Sequence, residues 1–171
     1  GNHLFLMRDG NRWMCSRCGY TESNGDFIPH KKVTMTPYEI KEYPILAIED
    51  RKITKDTCKH FGVMTSVSEQ NGEPESHYYP ISKKGKVVGH KIRILPKQFV
   101  IEGDSKGKVD LFGQSVCPQG GKRLLITGGE LDCLSAWQML KEKYPQYTPA
   151  VVSLPKGENV SNIADNMEFI Q

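Results

Sequence analysis

No stretch of this 171-residue sequence approaches the roughly 18 consecutive apolar residues that a membrane-spanning helix needs, so no membrane association is expected. Neither sign of charge dominates. The 23 Lys and Arg are set against 20 Asp and Glu, and the resulting +3 is too small to mark a nucleic-acid binder by itself. Cysteine is sparse and odd in number, at positions 15, 18, 58, 117 and 133, unlike the even, regularly spaced set of a disulfide-stapled secreted domain. The opening Gly1-Asn2-His3-Leu4-Phe5-Leu6-Met7 lacks an initiator methionine and is too soon interrupted to serve as a secretory signal. These absences lead to the expectation of a cytoplasmic fragment. Its ordinary composition, 37% hydrophobic and 25% charged, suits one medium domain, or a small N-terminal module followed by an incomplete second one.

The most informative run is Leu124-Leu125-Ile126-Thr127-Gly128-Gly129-Glu130-Leu131-Asp132, an apolar stretch that breaks on two glycines and then presents two carboxylates. It reads as a strand delivering its C-terminal end into a tight turn and a helix, the place where open α/β sheets gather their chemistry. A strand over 123–127, a helix over 130–143 and a second strand over 150–154 make a parallel strand-helix-strand unit. Leu131, Leu134, Ala136, Met139 and Leu140, broadened by Trp137, are the expected covering face of that helix. Glu130 suits a divalent metal or an activated water, and equally a helix-start carboxylate favoured by the dipole, while Asp132 would cap or face solvent. Glu158, Asp165 and Glu168 offer no tight acidic partner. The two glycines would let another backbone or a ligand come close.

Upstream, strands are expected over 77–81 and 87–95 around the polar turn 82–86. Alternation in the second sets Lys91 and Arg93 on one side and His90, Ile92 and Ile94 on the other. With Lys97 beyond Pro96 they form a positive edge suited to phosphate, the alternative being an ordinary solvated face. The alternation favours display at an edge over a buried parallel strand. Residues 103–108 read as a loop, and 109–113 return apolar side chains to a core. Over 53–63 a helix is expected, with Thr54 as N-cap, Gly62 as C-cap, and Cys58 and Phe61 on its inner face. Cys58 then packs and His60 faces solvent, which leaves them no nucleophile-base geometry. Tyr144 and Tyr147 would close the core at the end of the long helix, and residues 158–171 would begin a helix around Ile163, Met167 and Ile170.

Residues 4–21 read as an irregular hairpin turning at Asp9-Gly10, followed by a linker running through Pro37. Within the hairpin, Cys15-Ser16-Arg17-Cys18-Gly19 has the spacing of one edge of a tetrahedral zinc site. It supplies two ligands of the four required.

Taken in order, Cys15-Ser16-Arg17-Cys18-Gly19, Arg51 to Cys58 with Phe61-Gly62-Val63, Gly89-His90-Lys91-Ile92-Arg93, Leu111-Phe112-Gly113, Gly120-Gly121-Lys122, Thr127 to Asp132 and Val151 to Gly157 resemble the primase region of the phage replicative primase-helicases, T7 gene 4-like and Twinkle-like. The resemblance implies an α/β fold with a partial zinc-ribbon hairpin and linker in 1–30, a mixed α+β basic subdomain in 31–121 and the first β-α-β part of a toprim fold in 122–171. It implies that Cys15 and Cys18 are half of a zinc-ribbon site, holding Zn2+ if the missing cysteine pair is present. Lys91, Arg93 and Lys97 would meet nucleotide or DNA phosphate. Glu130 and Asp132 would be catalytic carboxylates serving Mg2+ or Mn2+ in the intact parent. Gly128 stands where the family carries its first, catalytic Glu, so Glu130 matches the second, and the family's later Asp-x-Asp strand would follow Gln171. The implied function is a fragment of a DNA primase-helicase that binds single-stranded DNA and ribonucleoside triphosphates and makes an RNA primer for DNA replication. An attached or associated helicase and a replicative polymerase would be partners, in the cytoplasm of a bacterial host. The parent would be a DNA-directed RNA polymerase, with or without a fused NTP-hydrolysing helicase, and this chain alone would be inactive. The alternative is a non-catalytic nucleic-acid-binding or scaffolding domain of a degenerate primase-helicase.

Overall fold

Thr54 and Gly62 bracket a two-turn helix, α1 (Lys55–Phe61). Thr54 is extended and its hydroxyl accepts from the Thr57 amide at 3.3 Å, while Gly62, at φ 68, takes the left-handed conformation that lets its amide close on the last carbonyls. Cys58 and Phe61 are buried on its inner face, as the spacing predicts. The structure, a computed structural model, describes residues 42–157 and 160–171, together with the backbones of three strands nearer the N-terminus.

Those three strands belong to a separate compact unit, residues 1–36. β1 (Leu4–Leu6), β2 (Arg12–Cys15) and β3 (Thr21–Ser23) pair antiparallel in chain order, so the expected hairpin is present and gains a third strand. The Asp9-Gly10 turn, Cys18 and the linker lie outside the described residues.

Residues 37–171 form the second unit. Its larger sheet is antiparallel, with β4 (Met64–Val67), β5 (Pro74–Lys83), β6 (Lys86–Ile94) and β7 (Gln98–Gly103) side by side in that order. β5 turns into β6 through Lys84 and Gly85, both at positive φ, and the carboxylate of Asp110 accepts from both of their amides at 3.0 and 2.8 Å. β7 escapes the sequence pattern because Phe99-Val100-Ile101 is a continuous apolar run with no alternation. Its presence corrects one expectation: β6 is an interior strand, so Lys91 and Arg93 are displayed from a sheet face and not from an edge. Alternation reports one wet face and says nothing about how many neighbours a strand has.

The expected strand-helix-strand unit is present as β8 (Leu125–Thr127), α2 (Glu130–Lys143) and β9 (Val151–Ser153), the strands parallel with Leu125 opposite Val151. On the far side of β9, Ser153 bridges to Phe112. The buried face of α2 consists of Glu130, Cys133, Leu134 and Trp137, an i, i+3, i+4, i+7 stripe, with Leu131, Ala136 and Leu140 packed at its margins. Met139, expected in that face, falls on the opposite side and is 68% exposed. Tyr144 and Tyr147 are likewise exposed and do not close the core. The C-terminal residues form two short helices in place of one, α3 (Val160–Ala164) and α4 (Met167–Ile170), with Ile163, Phe169 and Ile170 packed against Leu111, Val152 and Leu154, and Met167 exposed.

One hydrophobic core draws Ile48, Ile53, Cys58, Phe61, Val63, Tyr79 and Phe112 together with Cys133, Leu134, Trp137 and Val151. Helices α1 and α2 are also tied by Gln138, whose carbonyl accepts from the Thr54 amide at 2.8 Å and the Thr57 hydroxyl at 3.0 Å, and whose amide donates to the Lys52 carbonyl at 3.0 Å. His60 is half-buried and stacks on Trp137 at 4.2 Å, which corrects its assignment to solvent. Burial pushes the Cys58 thiol up to about 11, consistent with packing and not with a nucleophile. Among the described residues no helix is long and apolar enough to cross a membrane.

Two outcomes follow from this packing. A methyl group on Gly89 in β6 would run into the Glu102 carbonyl oxygen on β7, so Gly89→Ala should cost about 2 kcal/mol of unfolding free energy in urea denaturation. His60, His77 and His90 are each held below their ordinary 6.5, mainly by burial. The unfolded chain therefore takes up their protons more readily. Stability should be full above about pH 6.5 and decline as pH falls below it, read as a falling Tm between about pH 7 and pH 5; a flat profile would exclude this linkage.

Candidate functional site

Register across the larger sheet sets two faces. His77, Arg93 and Phe99 form one cross-strand row and Tyr79, Lys91 and Ile101 the next, both on the face that meets the core. Tyr78, Ile92 and Val100, with Pro80, His90 and Glu102, make up the opposite face. Along the Tyr79 row, exposure rises from 1% at Tyr79 to 44% at Ile101, with Lys91 between them at the border of the core. A long cationic side chain suits that border, because its stem can pack while its ammonium finds a partner.

The partner is Glu130. Lys91 Nζ lies 2.9 Å from both carboxylate oxygens, across 39 residues of sequence, with the two side chains only 15% and 7% exposed. Glu130 is the first helical residue of α2, where the dipole favours a carboxylate, and the preceding Gly129 provides no side-chain cap. The turn before it is fixed by Thr127, whose hydroxyl is 3.1 Å from the Gly129 carbonyl and 3.3 Å from that of Val152. The close approach that the two glycines would permit is not used at Gly129. Its backbone is extended, and an added Cβ would meet only Asp132 Oδ2 at 3.4 Å, an ordinary contact.

The other expected site residues separate into groups. Arg93 shares the face of Lys91, donates to the Pro96 carbonyl at 3.2 Å and lies over Phe99. Lys97 is exposed in the turn joining β6 to β7. Asp132 is exposed and outside the Lys91–Glu130 pair. Cys15 ends β2, but its side chain and Cys18 lie outside the described residues. Among the described residues no three His, Cys, Asp or Glu side chains group to hold a metal ion.

Two residues of this corner went unread in the sequence. Tyr79 neighbours Lys91 across the strands, and burial, then the charge of Glu130, raise its phenol far above the ordinary range, so it stays neutral. Phe99, 50% exposed, has Lys91 Nζ at 5.3 Å and Arg93 Cζ at 5.8 Å from its ring centroid. The signal for both is cross-strand pairing: for Tyr79 the register of β5 on β6, and for Phe99 the pairing of β7 with β6. Chemically the corner holds a carboxylate neutralised by a lysine beside a second cation. A phosphate oxygen can replace Glu130 as the partner of Lys91, and a cation can replace Lys91 as the partner of Glu130.

No protein-family model matches the chain. A DNA helicase/primase of Enterobacteria phage T3 is 30% identical over 121 residues, which covers 70% of this chain and 20% of that protein. The crystal structure of the primase fragment of the bacteriophage T7 primase-helicase superposes with a TM-score of 0.63 at 25% identity, over 98% of this chain and 69% of that one. The match thus spans about a fifth of the length of that curated relative.

Removing one partner of the pair leaves the other charge poorly solvated. Lys91→Met should destabilise the protein by about 2–3 kcal/mol, somewhat below the cost at a fully buried pair, and adding Glu130→Gln should recover most of that loss in a double-mutant cycle. Additive losses would show that the two side chains do not interact energetically.

Proposed function

We propose that this chain, which is related to the phage primase-helicases of the T3 and T7 kind, is part of the primase region of such a protein and handles the phosphates of single-stranded DNA and ribonucleoside triphosphates at the Lys91–Glu130 corner. The observation that carries the reading is the meeting of two motifs recognised independently in the sequence. The cationic strand and the glycine-bounded strand end converge on one ion pair. Lys91 and Arg93 supply positive charge on one face, Lys97 adds a cation on the adjoining turn, and the first turn of α2 closes the corner. In this reading residues 122–171 begin a toprim fold, Cys15 and Cys18 are half of a zinc ribbon, and the product is an RNA primer for DNA replication, made alongside a helicase and a replicative polymerase.

In a primase a divalent ion such as Mg2+ or Mn2+ stabilises the charge on the attacked phosphorus and the leaving pyrophosphate. The described carboxylates do not make a complete set for it, since Glu130 is engaged by Lys91 and Asp132 is exposed outside that pair. The residues present bind and orient phosphate.

A second reading, a non-catalytic nucleic-acid-binding or scaffolding domain, is favoured by one observation. Gly128 follows Thr127 in the strand-end motif, where the resemblance implies the first catalytic Glu of the family. Primer synthesis by the full-length gene product on single-stranded DNA with ribonucleoside triphosphates separates the two, compared with its Gly128→Glu variant. The primase reading expects labelled RNA primers from the unaltered protein. Their absence, with synthesis gained in the Gly128→Glu variant, would establish the binding domain instead.

A further inference from the structure

Phe99 lies in an edge strand with half of its surface in water, followed by Val100 at 45% and Ile101 at 44% exposure. Apolar edge strands are ordinarily blunted by charge or covered. Here the ring sits directly across from Arg93 in the β6–β7 register, and Lys91 approaches it diagonally. The two cations stand 5.8 and 5.3 Å from the ring centroid, within reach of its π face, so they hold the ring and set positive charge beside it. Glu102, the acidic residue of the same strand, belongs to the row facing the other way. A held aromatic ring, half open to solvent and beside cations, matches a ligand that couples a flat π system to a phosphate.

We propose that Phe99 is a base-stacking platform, taking a nucleobase on its open surface while Arg93 and Lys97 hold the adjoining phosphate. The proposal rests on the phosphate-handling reading above and adds to it the part of the ligand that reading leaves unassigned. The shared chemistry is a base joined to phosphate, and it has two sources, a single strand of DNA or a ribonucleoside triphosphate. Stacking on a side chain is tolerant of base identity, because every base has a π face.

The test uses the full chain and its variants Phe99→Leu, Phe99→Ala and Phe99→Trp, each checked for an unchanged far-ultraviolet circular dichroism spectrum. Phe99→Leu guards against a packing effect, since it keeps an apolar side chain on the strand and removes only the π system. Binding is measured for ATP, for an oligothymidylate of about twelve nucleotides, and for an abasic strand of equal phosphate number. Phe99→Leu and Phe99→Ala should bind at least one base-bearing ligand about ten-fold more weakly, Phe99→Trp should bind it at least as tightly as the native chain, and none should change affinity for the abasic strand. Loss confined to the oligothymidylate assigns the base to DNA; loss confined to ATP assigns it to the nucleotide. Native affinity of Phe99→Leu for both overturns the proposal, as does an equal loss for abasic and base-bearing strands. A change in oligomeric state with unaltered ligand affinity would overturn it too, giving β7 to a protein partner. Lys91→Ala and Arg93→Ala report separately on the underlying reading. If neither weakens the abasic strand, phosphate handling fails at this corner whatever Phe99 does.

Discussion

The ion pair between Lys91 and Glu130 joins the two halves of the larger unit, the antiparallel sheet and the parallel strand-helix-strand segment, at the border of their common core. A lysine and a glutamate removed this far from water are tolerated only if each satisfies the other, so the seam between sheet and helix must close in one register. The interaction positions more than two side chains. With α2 entering beside β6, the Glu130, Cys133, Leu134, Trp137 stripe turns inward, and Gln138 reaches the capped start of α1.

Across the sheet the same arrangement grades one face from dry to wet. Tyr79 lies in the core, Lys91 at its boundary, and Phe99 and Ile101 on the edge strand beyond it. Arg93 and Lys97 therefore sit where an anionic ligand can reach them, while the aromatic ring of Phe99 remains half open. This grading is what supports the phosphate-handling proposal, alongside the chain's relation to phage primase-helicases.

Local signals were read most reliably where a few neighbouring residues decide the conformation. Thr54 and Gly62 delimit α1, Leu125 to Ser153 makes the parallel unit, and Lys91 and Arg93 share a face, each because capping, turn and alternation rules act over short spans. The sequence misleads where a distant element decides the outcome. Met139 satisfied an apolar pattern, but the core lies on the side chosen by Glu130 and Trp137. His60 looked solvent-facing on a short helix until Trp137 from another helix packed over it. β6 looked like an edge until β7, whose sequence has no alternation, paired with it.

The sequence by itself determined α1, the β5–β6 hairpin, the parallel strand-helix-strand unit, the two chemical motifs and the family they resemble, because backbone preferences and side-chain periodicity are encoded within a turn or a strand. Only the tertiary structure decided that Lys91 neutralises Glu130, that Arg93 and Lys91 both reach the ring of Phe99, and that Asp132 stands apart. The reason is distance along the chain. Contacts spanning 39 residues depend on sheet order and on which helical face is buried, and both are settled by the collective packing of a core that no local window of sequence contains.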